Sequence, residues 1–248
     1  LVGRVRPDKI VHLAALAGVR ASISEPGAFA DTNVGGTLNV LESARHHDVS
    51  QVVLASTSSV YGRAAAIPFV EDDPAICPAQ PYAVTKRSAE MMACAYHDLH
   101  GLECTVLRLF TVYGPRGRPD MMPYKLVQSV ATGSDVSFFG AELRRDWTYV
   151  GDIVDGIVGS LARPLGFQIL NLGRGRPVSL GDFVDAVEAV SGRQARLRHE
   201  PPPSSEMPVT HADISRARRL IGYEPTVDVA AGVEALWAWY VADRCTTH

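Results

Sequence analysis

The chain has 248 residues, a formal net charge of −3, 46% hydrophobic and 21% charged residues. These values describe a globular chain with room for one large domain or two small ones, and they give no reason to expect a nucleic-acid or anionic-membrane partner. No apolar run reaches the roughly 18 residues of a membrane span. Four cysteines, Cys77, Cys94, Cys104 and Cys245, show neither metal spacing nor disulfide density, so a reducing cytoplasm is the expected compartment.

Taken in chain order, residues 9–15 form a short apolar run that reads as a buried strand. Ser24, Glu25 and Pro26 follow as cap, acid and early proline, which predicts a helix to about His47. Residues 51–56 are a second apolar strand. A proline-rich stretch then leads into a helix carrying Tyr82 and Lys86, ended by Gly101, and 104–110 is a third strand. Later come a helix over 122–132, extended pieces around Phe138 and Trp147, a helix after Gly151 and a strand over 167–172. Helices over 179–191, 214–221 and 229–242 complete the chain, and 201–205 reads as a loop. Strands alternating with helices predict an α/β fold with a parallel sheet covered on both faces.

Tyr82 and Lys86 are four residues apart, one turn apart on a helix face. A nearby ammonium favours the phenolate over the phenol, which is how a tyrosine becomes a general base. The spacing alone is a weak signal, and an exposed helix face with a cation near a ring is the competing reading. Residues 55–62, Ala-Ser-Thr-Ser-Ser-Val-Tyr-Gly, follow the second strand, where a parallel sheet presents its ligand crevice. A hydroxyl-rich loop that satisfies its own backbone is the alternative there.

Together these motifs resemble the extended short-chain dehydrogenase/reductases of the NAD-dependent epimerase/dehydratase family, specifically the nucleotide-sugar epimerases. Further matches occur in family order. They include His12-Leu13-Ala14-Ala15, the helix segment containing Asn33, the run 107–115 and Arg145-Asp146-Trp147 with Asp152, followed by 171–173 and 212–213. The resemblance implies NAD as cofactor, with Thr57, Tyr82 and Lys86 catalytic. It places Leu13, Ala14, Ala15, Asn33, Ser56, Phe110 and Val112 at the cofactor beside Tyr82 and Lys86. Ser58, Ser59, Thr111, Arg118, Arg145 and Glu206 fall at substrate positions, with Arg145 meeting the diphosphate. No metal is implied.

Serines at 58 and 59 stand where the family's dehydratases carry Asp-Glu, and Ser59 where its UDP-xylose-forming decarboxylases carry Glu. The resemblance therefore implies 4-epimerisation through a 4-keto sugar. The run 111–121 is similar to the UDP-glucuronate 4-epimerase group. By that analogy Arg118 grips the sugar carboxylate as a bidentate partner; a solvated loop or a diphosphate clamp is the alternative. UDP-glucose, or another neutral sugar, is the alternative substrate, and a non-catalytic nucleotide-sugar-binding remnant is the alternative function. The family pattern also implies a homodimer through the helix of Tyr82, with Met91, Met92 and Ala95 as candidate face residues.

The family's opening strand and Gly-x-x-Gly-x-x-Gly turn have no match here, and Gly173-Arg174-Gly175 lacks the third glycine because Val178 stands there. It reads as a sharp turn near the substrate site. The expectation is a Rossmann-like parallel sheet, N-terminally truncated, over 1–114, and a smaller substrate-binding α/β lobe over 115–248, with 167–172 returning to the sheet. A further expectation is an edge position for the first strand, and weak NAD binding or inactivity for this polypeptide taken alone.

Overall fold

The computed structural model describes residues 1–63, 66–74, 76–202 and 207–245. The chain divides into two compact units, one of Leu1–Leu109, Asp155–Leu172 and Asp213–Tyr223, the other of Phe110–Val154, Gly173–Ala212 and Glu224–His248.

The first unit is built on a four-stranded sheet. Its spatial order is Lys9–His12, Gln51–Thr57, Glu103–Leu109 and Phe167–Leu172, and every pairing is parallel. The two middle strands are buried along almost their whole length, which is why they read as near-continuous apolar runs in the sequence. On one face Val52, Leu54, Cys104 and Val106 pack with Leu41, Ala44, Ala93 and Leu102. The strand Lys9–His12 stands at one end of this order.

That first strand is shorter than the apolar run suggested, and its residues are exposed or half-buried where a buried strand was expected. Beyond His12 the chain leaves the sheet, and the N–H and C=O of Leu16 are held by the side-chain amide of Asn33. The helix expected from Ser24 also differs. Ser24 ends a short preceding helix, Val19–Ser24, and contributes no cap hydrogen bond. Pro26 opens Pro26–Phe29, which continues through a π-helical segment, Ala30–Gly35, into Gly36–His46. Wide turns of this kind recur at functional sites.

The helix Pro81–His100 begins with proline in its first turn and ends at Gly101, whose φ of 67° suits glycine and whose N–H reaches His97 O at 2.8 Å. Gly62 is a second obligatory glycine: its φ is 64°, and a Cβ there would stand 1.9 Å from the carbonyl oxygen of Cys77.

Among the described residues the second unit packs helices Met122–Thr132, Leu180–Ser191 and Val229–Cys245 with three two-stranded ladders. An aromatic cluster forms its centre, with Trp147 and Phe183 rings 4.5 Å apart and Tyr113 set edge-on to Phe183 at 5.4 Å. One strand of this unit, Arg196–His199, was not expected from the sequence; it pairs in parallel with Asp135–Phe138. Among the described residues no helix is long and apolar enough to cross a membrane.

Candidate active site

In the first unit the ends of the parallel strands and one helix face carry the residues singled out from the sequence. Thr57 is the last residue of its strand and Ser58–Tyr61 turns immediately into a 3₁₀ helix. The Thr57 hydroxyl accepts the Ser59 N–H at 3.2 Å and donates to Ser59 Oγ at 3.3 Å. The Thr57 hydroxyl thus holds the backbone of the turn that follows it, at the strand end. Ser56 is buried and donates to Glu90 Oε1 at 2.5 Å.

Tyr82 and Lys86 lie on helix Pro81–His100, and the Tyr82 ring meets Phe29 edge-on at 6.2 Å. Lys86 is only 5% exposed, yet makes no hydrogen bond or ion pair among the described residues. Burial lowers its ammonium to about 8, with the Glu90 carboxylate pulling the other way. The same buried cation helps to lower His12, for which desolvation is the larger cause. Asn33, 1% exposed in the π-helical segment, accepts the Leu16 N–H at 2.8 Å and donates Nδ2 to Leu16 O and to Thr85 Oγ1, both at 3.0 Å. It therefore ties the segment after the first strand to the helix, between Tyr82 and Lys86. Leu13 is exposed in that segment, as is Ala14, and Ala15 is half-buried.

Beneath this face is a buried polar cluster that sequence reading missed. Glu90 takes a two-point hydrogen bond from Arg108, at 3.0 and 2.8 Å, and Arg108 lies 4.8 Å from the Tyr61 ring centroid. Tyr61 donates to Asn171 Oδ1 at 2.6 Å, and Asn171 Nδ2 donates to Phe69 O at 2.9 Å. Burial opposes charge on both Arg108 and Glu90, but their pairing outweighs it and holds both ionised. Charged residues on different strands and helices give no local sequence pattern that would announce such a pair.

The second unit carries the remaining candidates. Thr111 and Val112 lie in the short strand Thr111–Tyr113, paired with Trp147–Tyr149, and Phe110 is buried. Arg145 is 8% exposed and donates Nη1 to Arg144 O at 2.8 Å. Its neighbour Asp146 is fully buried and accepts backbone N–H groups of Arg174, Gly175 and Ala212 at 2.6, 3.0 and 2.9 Å. Burial raises the Asp146 carboxyl against the pull of those donors. The turn at 173–175 is thus wrapped on Asp146, which explains its glycines: a Cβ on Gly173 would come within 3.1 Å of Asp146 Oδ2 and closer still to Ala212. Arg118 lies on an exposed loop with its fork engaged by Asp120, Nε to Oδ1 at 3.0 Å and Nη2 to Oδ2 at 2.5 Å. Glu206 lies outside the described residues. Among the described residues no group of three or more His, Cys, Asp or Glu is placed to hold a metal ion.

Residues 1–173 match the model of the NAD dependent epimerase/dehydratase family. The chain is 40% identical over 232 residues to the UDP-glucuronate 4-epimerase of Thermodesulfobacterium geofontis, covering 93% of this chain and 71% of that protein. Its fold matches the UDP-glucuronic acid 4-epimerase of Bacillus cereus, solved with UDP-glucuronic acid and NAD, with a TM-score of 0.90 at 33% identity; the match covers 96% of this chain and 76% of the other. The Thermotoga maritima UDP-glucose 4-epimerase, solved with UDP-glucose, gives 0.93 at 28% identity over 98% of this chain and 81% of the other. The chain belongs to the NAD-dependent epimerase/dehydratase family.

Proposed function

We propose that this protein inverts C4 of a nucleotide sugar, UDP-glucuronate, in an NAD-dependent reaction that passes through a 4-keto sugar. The observation that carries the reading is Lys86: a buried ammonium without a hydrogen-bond or ion-pair partner among the described residues, one turn from Tyr82 on the same helix. Burying a lysine side chain has a cost, seen in the lowering of Lys86 to about 8, and a site that needs a fixed donor and positive charge accounts for it.

The described residues fit the nicotinamide-ribose end of NAD. Lys86 offers an ammonium to a ribose diol, and Asn33 fixes the segment that follows the first strand. When bound, NAD supplies the acceptor and donor of the C4 hydride. Tyr82 takes the proton of the sugar 4-hydroxyl and later returns it to the opposite face's alkoxide. The charge of Lys86 favours the phenolate form of Tyr82 throughout. Thr57, at the end of its strand, orients the hydroxyl as the proton leaves. Ser58 and Ser59 supply no acid or base for loss of water, which keeps the keto sugar on the epimerisation path. Arg145 is assigned to the diphosphate and Arg118 to the sugar carboxylate.

UDP-glucose is the second reading. It is favoured by the Asp120 carboxylate, which already occupies the Arg118 fork that glucuronate would need. We assign the protein to the cytoplasm, in keeping with free Cys77, Cys94 and Cys104. We also assign a homodimer through the stripe Val84, Ser88, Met91 and Ala95, in which Val84 and Met91 are 49% and 62% exposed. Met92 takes no part in that stripe, because it packs against the sheet core.

The test is titration of the purified protein with NAD, followed, at an NAD concentration that fills the site, by incubation with each UDP-sugar and separation of the C4 epimers. Accumulation of UDP-galacturonate from UDP-glucuronate, at a kcat/KM at least about tenfold above that for UDP-glucose, is the expected result. Turnover of UDP-glucose alone transfers the assignment to the neutral sugar, and turnover of neither overturns it.

A further inference from the structure

Glu90 lies four residues beyond Lys86 and eight beyond Tyr82, so the three side chains follow one another along a single helix face. Its side chain is 1% exposed. Oε1 accepts from Ser56 Oγ at 2.5 Å and from Arg108 Nε at 3.0 Å; Oε2 accepts from Arg108 Nη2 at 2.8 Å and Arg87 Nη1 at 2.6 Å. Four hydrogen bonds from two strands and its own helix leave this carboxylate no freedom to move. Arg108 is equally fixed, since its Nη1 donates to Glu71 O at 3.1 Å. Ser56 directly precedes Thr57, so the same carboxylate ties the helix of the tyrosine to the strand of the threonine. A buried ion pair is weak evidence for stability, because apolar residues of similar volume commonly serve packing as well or better. The position of this one, in line with the buried ammonium, gives it another use.

We propose that Glu90 is a positioning residue that acts through Lys86: anchored by Arg108, Arg87 and Ser56, its carboxylate is the fixed counter-charge for the buried Lys86 ammonium. The two are not in direct ion-pair contact, so Lys86 keeps its donors for a ligand while still feeling the negative charge along the helix. Among the described residues, the charged and titratable groups around Lys86 are Tyr82 and Glu90 on its own helix and His12 from the first strand; those around Glu90 are Arg87 and Arg108. Glu90 acts to raise Lys86 where burial lowers it. Removing the carboxylate therefore makes Lys86 more acidic, and the uncompensated Arg108 and Arg87 push in the same direction.

The chain has three lysines, Lys9, Lys86 and Lys125, so each side chain can be followed separately by lysine-labelled NMR. In the wild-type protein Lys86 is expected to titrate near 8. In Glu90→Gln its midpoint is expected to fall by about one pH unit or more, a tenfold change in acidity. Lys9 and Lys125 serve as references that stay in place. If Glu90→Gln fails to fold, the double change Glu90→Gln with Arg108→Met removes both buried charges; loss of Arg108 acts against loss of Glu90, so the Lys86 midpoint is expected to fall in the same direction by a smaller step. An unmoved Lys86 midpoint in a folded variant overturns the proposal. The kinetic companion rests on the epimerase reading: the alkaline limb of kcat should shift down with the Lys86 midpoint, with KM within about twofold. A wild-type protein without epimerase activity would remove that reading while leaving the titration to decide the role of Glu90.

Discussion

Asn33 holds both backbone polar groups of Leu16, accepting its N–H at 2.8 Å and donating to its carbonyl at 3.0 Å. The same Nδ2 reaches Thr85, whose hydroxyl donates to Tyr82 O at 2.8 Å. One buried amide thus fixes the segment after the first strand against the helix turn that carries Tyr82. Asn33→Asp keeps the acceptor but loses both Nδ2 donors and adds a buried charge. Thermal or urea unfolding is expected to show a loss of about 2–4 kcal/mol. Wild-type stability in that variant would show that the Leu16 segment is held by something else.

Lys86→Met should separate stability from activity. The unfolded ammonium has a pKa of 10.5, and burial lowers the folded one to about 8. Below pH 8 both states carry the proton and the cost of burial is fully present; it is relieved as pH rises from about 8 toward 10.5. At pH 7 the methionine variant is expected to gain on the order of 2–3 kcal/mol, and the gain should shrink across that window. Epimerase activity should be lost at the same time. A variant that is both less stable and inactive would mean that Lys86 serves the fold.

Some of this architecture is written locally and some is not. The helix Met122–Thr132 has Pro123 in its first turn and Gly133 just past its end, and the strand Phe167–Leu172 is a short apolar run, so both ends of each element are signalled by nearby residues. The strand Arg196–His199 is different. Only Leu197 in it is apolar, and its pairing partner, Asp135–Phe138, is some 60 residues earlier, so no periodicity marks it. The site divides the same way. Tyr82 and Lys86 share a helix, and their spacing carries their proximity. Glu90 and Arg108 become partners only when the helix docks on the strand, and Asp146 acquires its three N–H donors from segments about 28 and 66 residues away. Long-range partners of charged residues leave no trace in a single sequence.

Tyr82→Phe removes the proposed base and leaves the ring that meets Phe29. Turnover is expected to fall by about 10²–10⁴, with KM for the nucleotide sugar little changed, since the hydroxyl acts on the proton in transit. Far-UV and near-UV spectra should match the wild type. A variant retaining more than about a tenth of wild-type kcat would assign the base elsewhere.

Arg118→Ala tests the choice between the two sugars. The fork is at present satisfied by Asp120 on an exposed loop, so its loss should leave stability within about 0.5 kcal/mol. If the guanidinium holds the sugar carboxylate, kcat/KM for UDP-glucuronate should fall at least about tenfold while any UDP-glucose activity stays within about twofold. Equal losses on both sugars would point to the diphosphate, and no loss on either would leave Arg118 as a solvated loop residue.

Asp146 separates a structural carboxylate from its neighbour Arg145 in the same family run. Its oxygens satisfy the backbone N–H groups of Arg174, Gly175 and Ala212, all three within the second unit. Asp146→Ala leaves those donors without their acceptor in a buried place, each at about 1–3 kcal/mol, and the turn at 173–175 loses the group around which it is wrapped. A destabilisation of more than about 3 kcal/mol is expected. Asp146→Asn keeps one acceptor oxygen and turns an NH₂ toward a donor, so it should lie between the two. Arg145→Ala offers the contrast, with the larger effect expected in KM for the nucleotide sugar and the smaller in stability. If Asp146→Ala unfolds with wild-type resistance, the three N–H groups must find water, and the turn stands without the carboxylate.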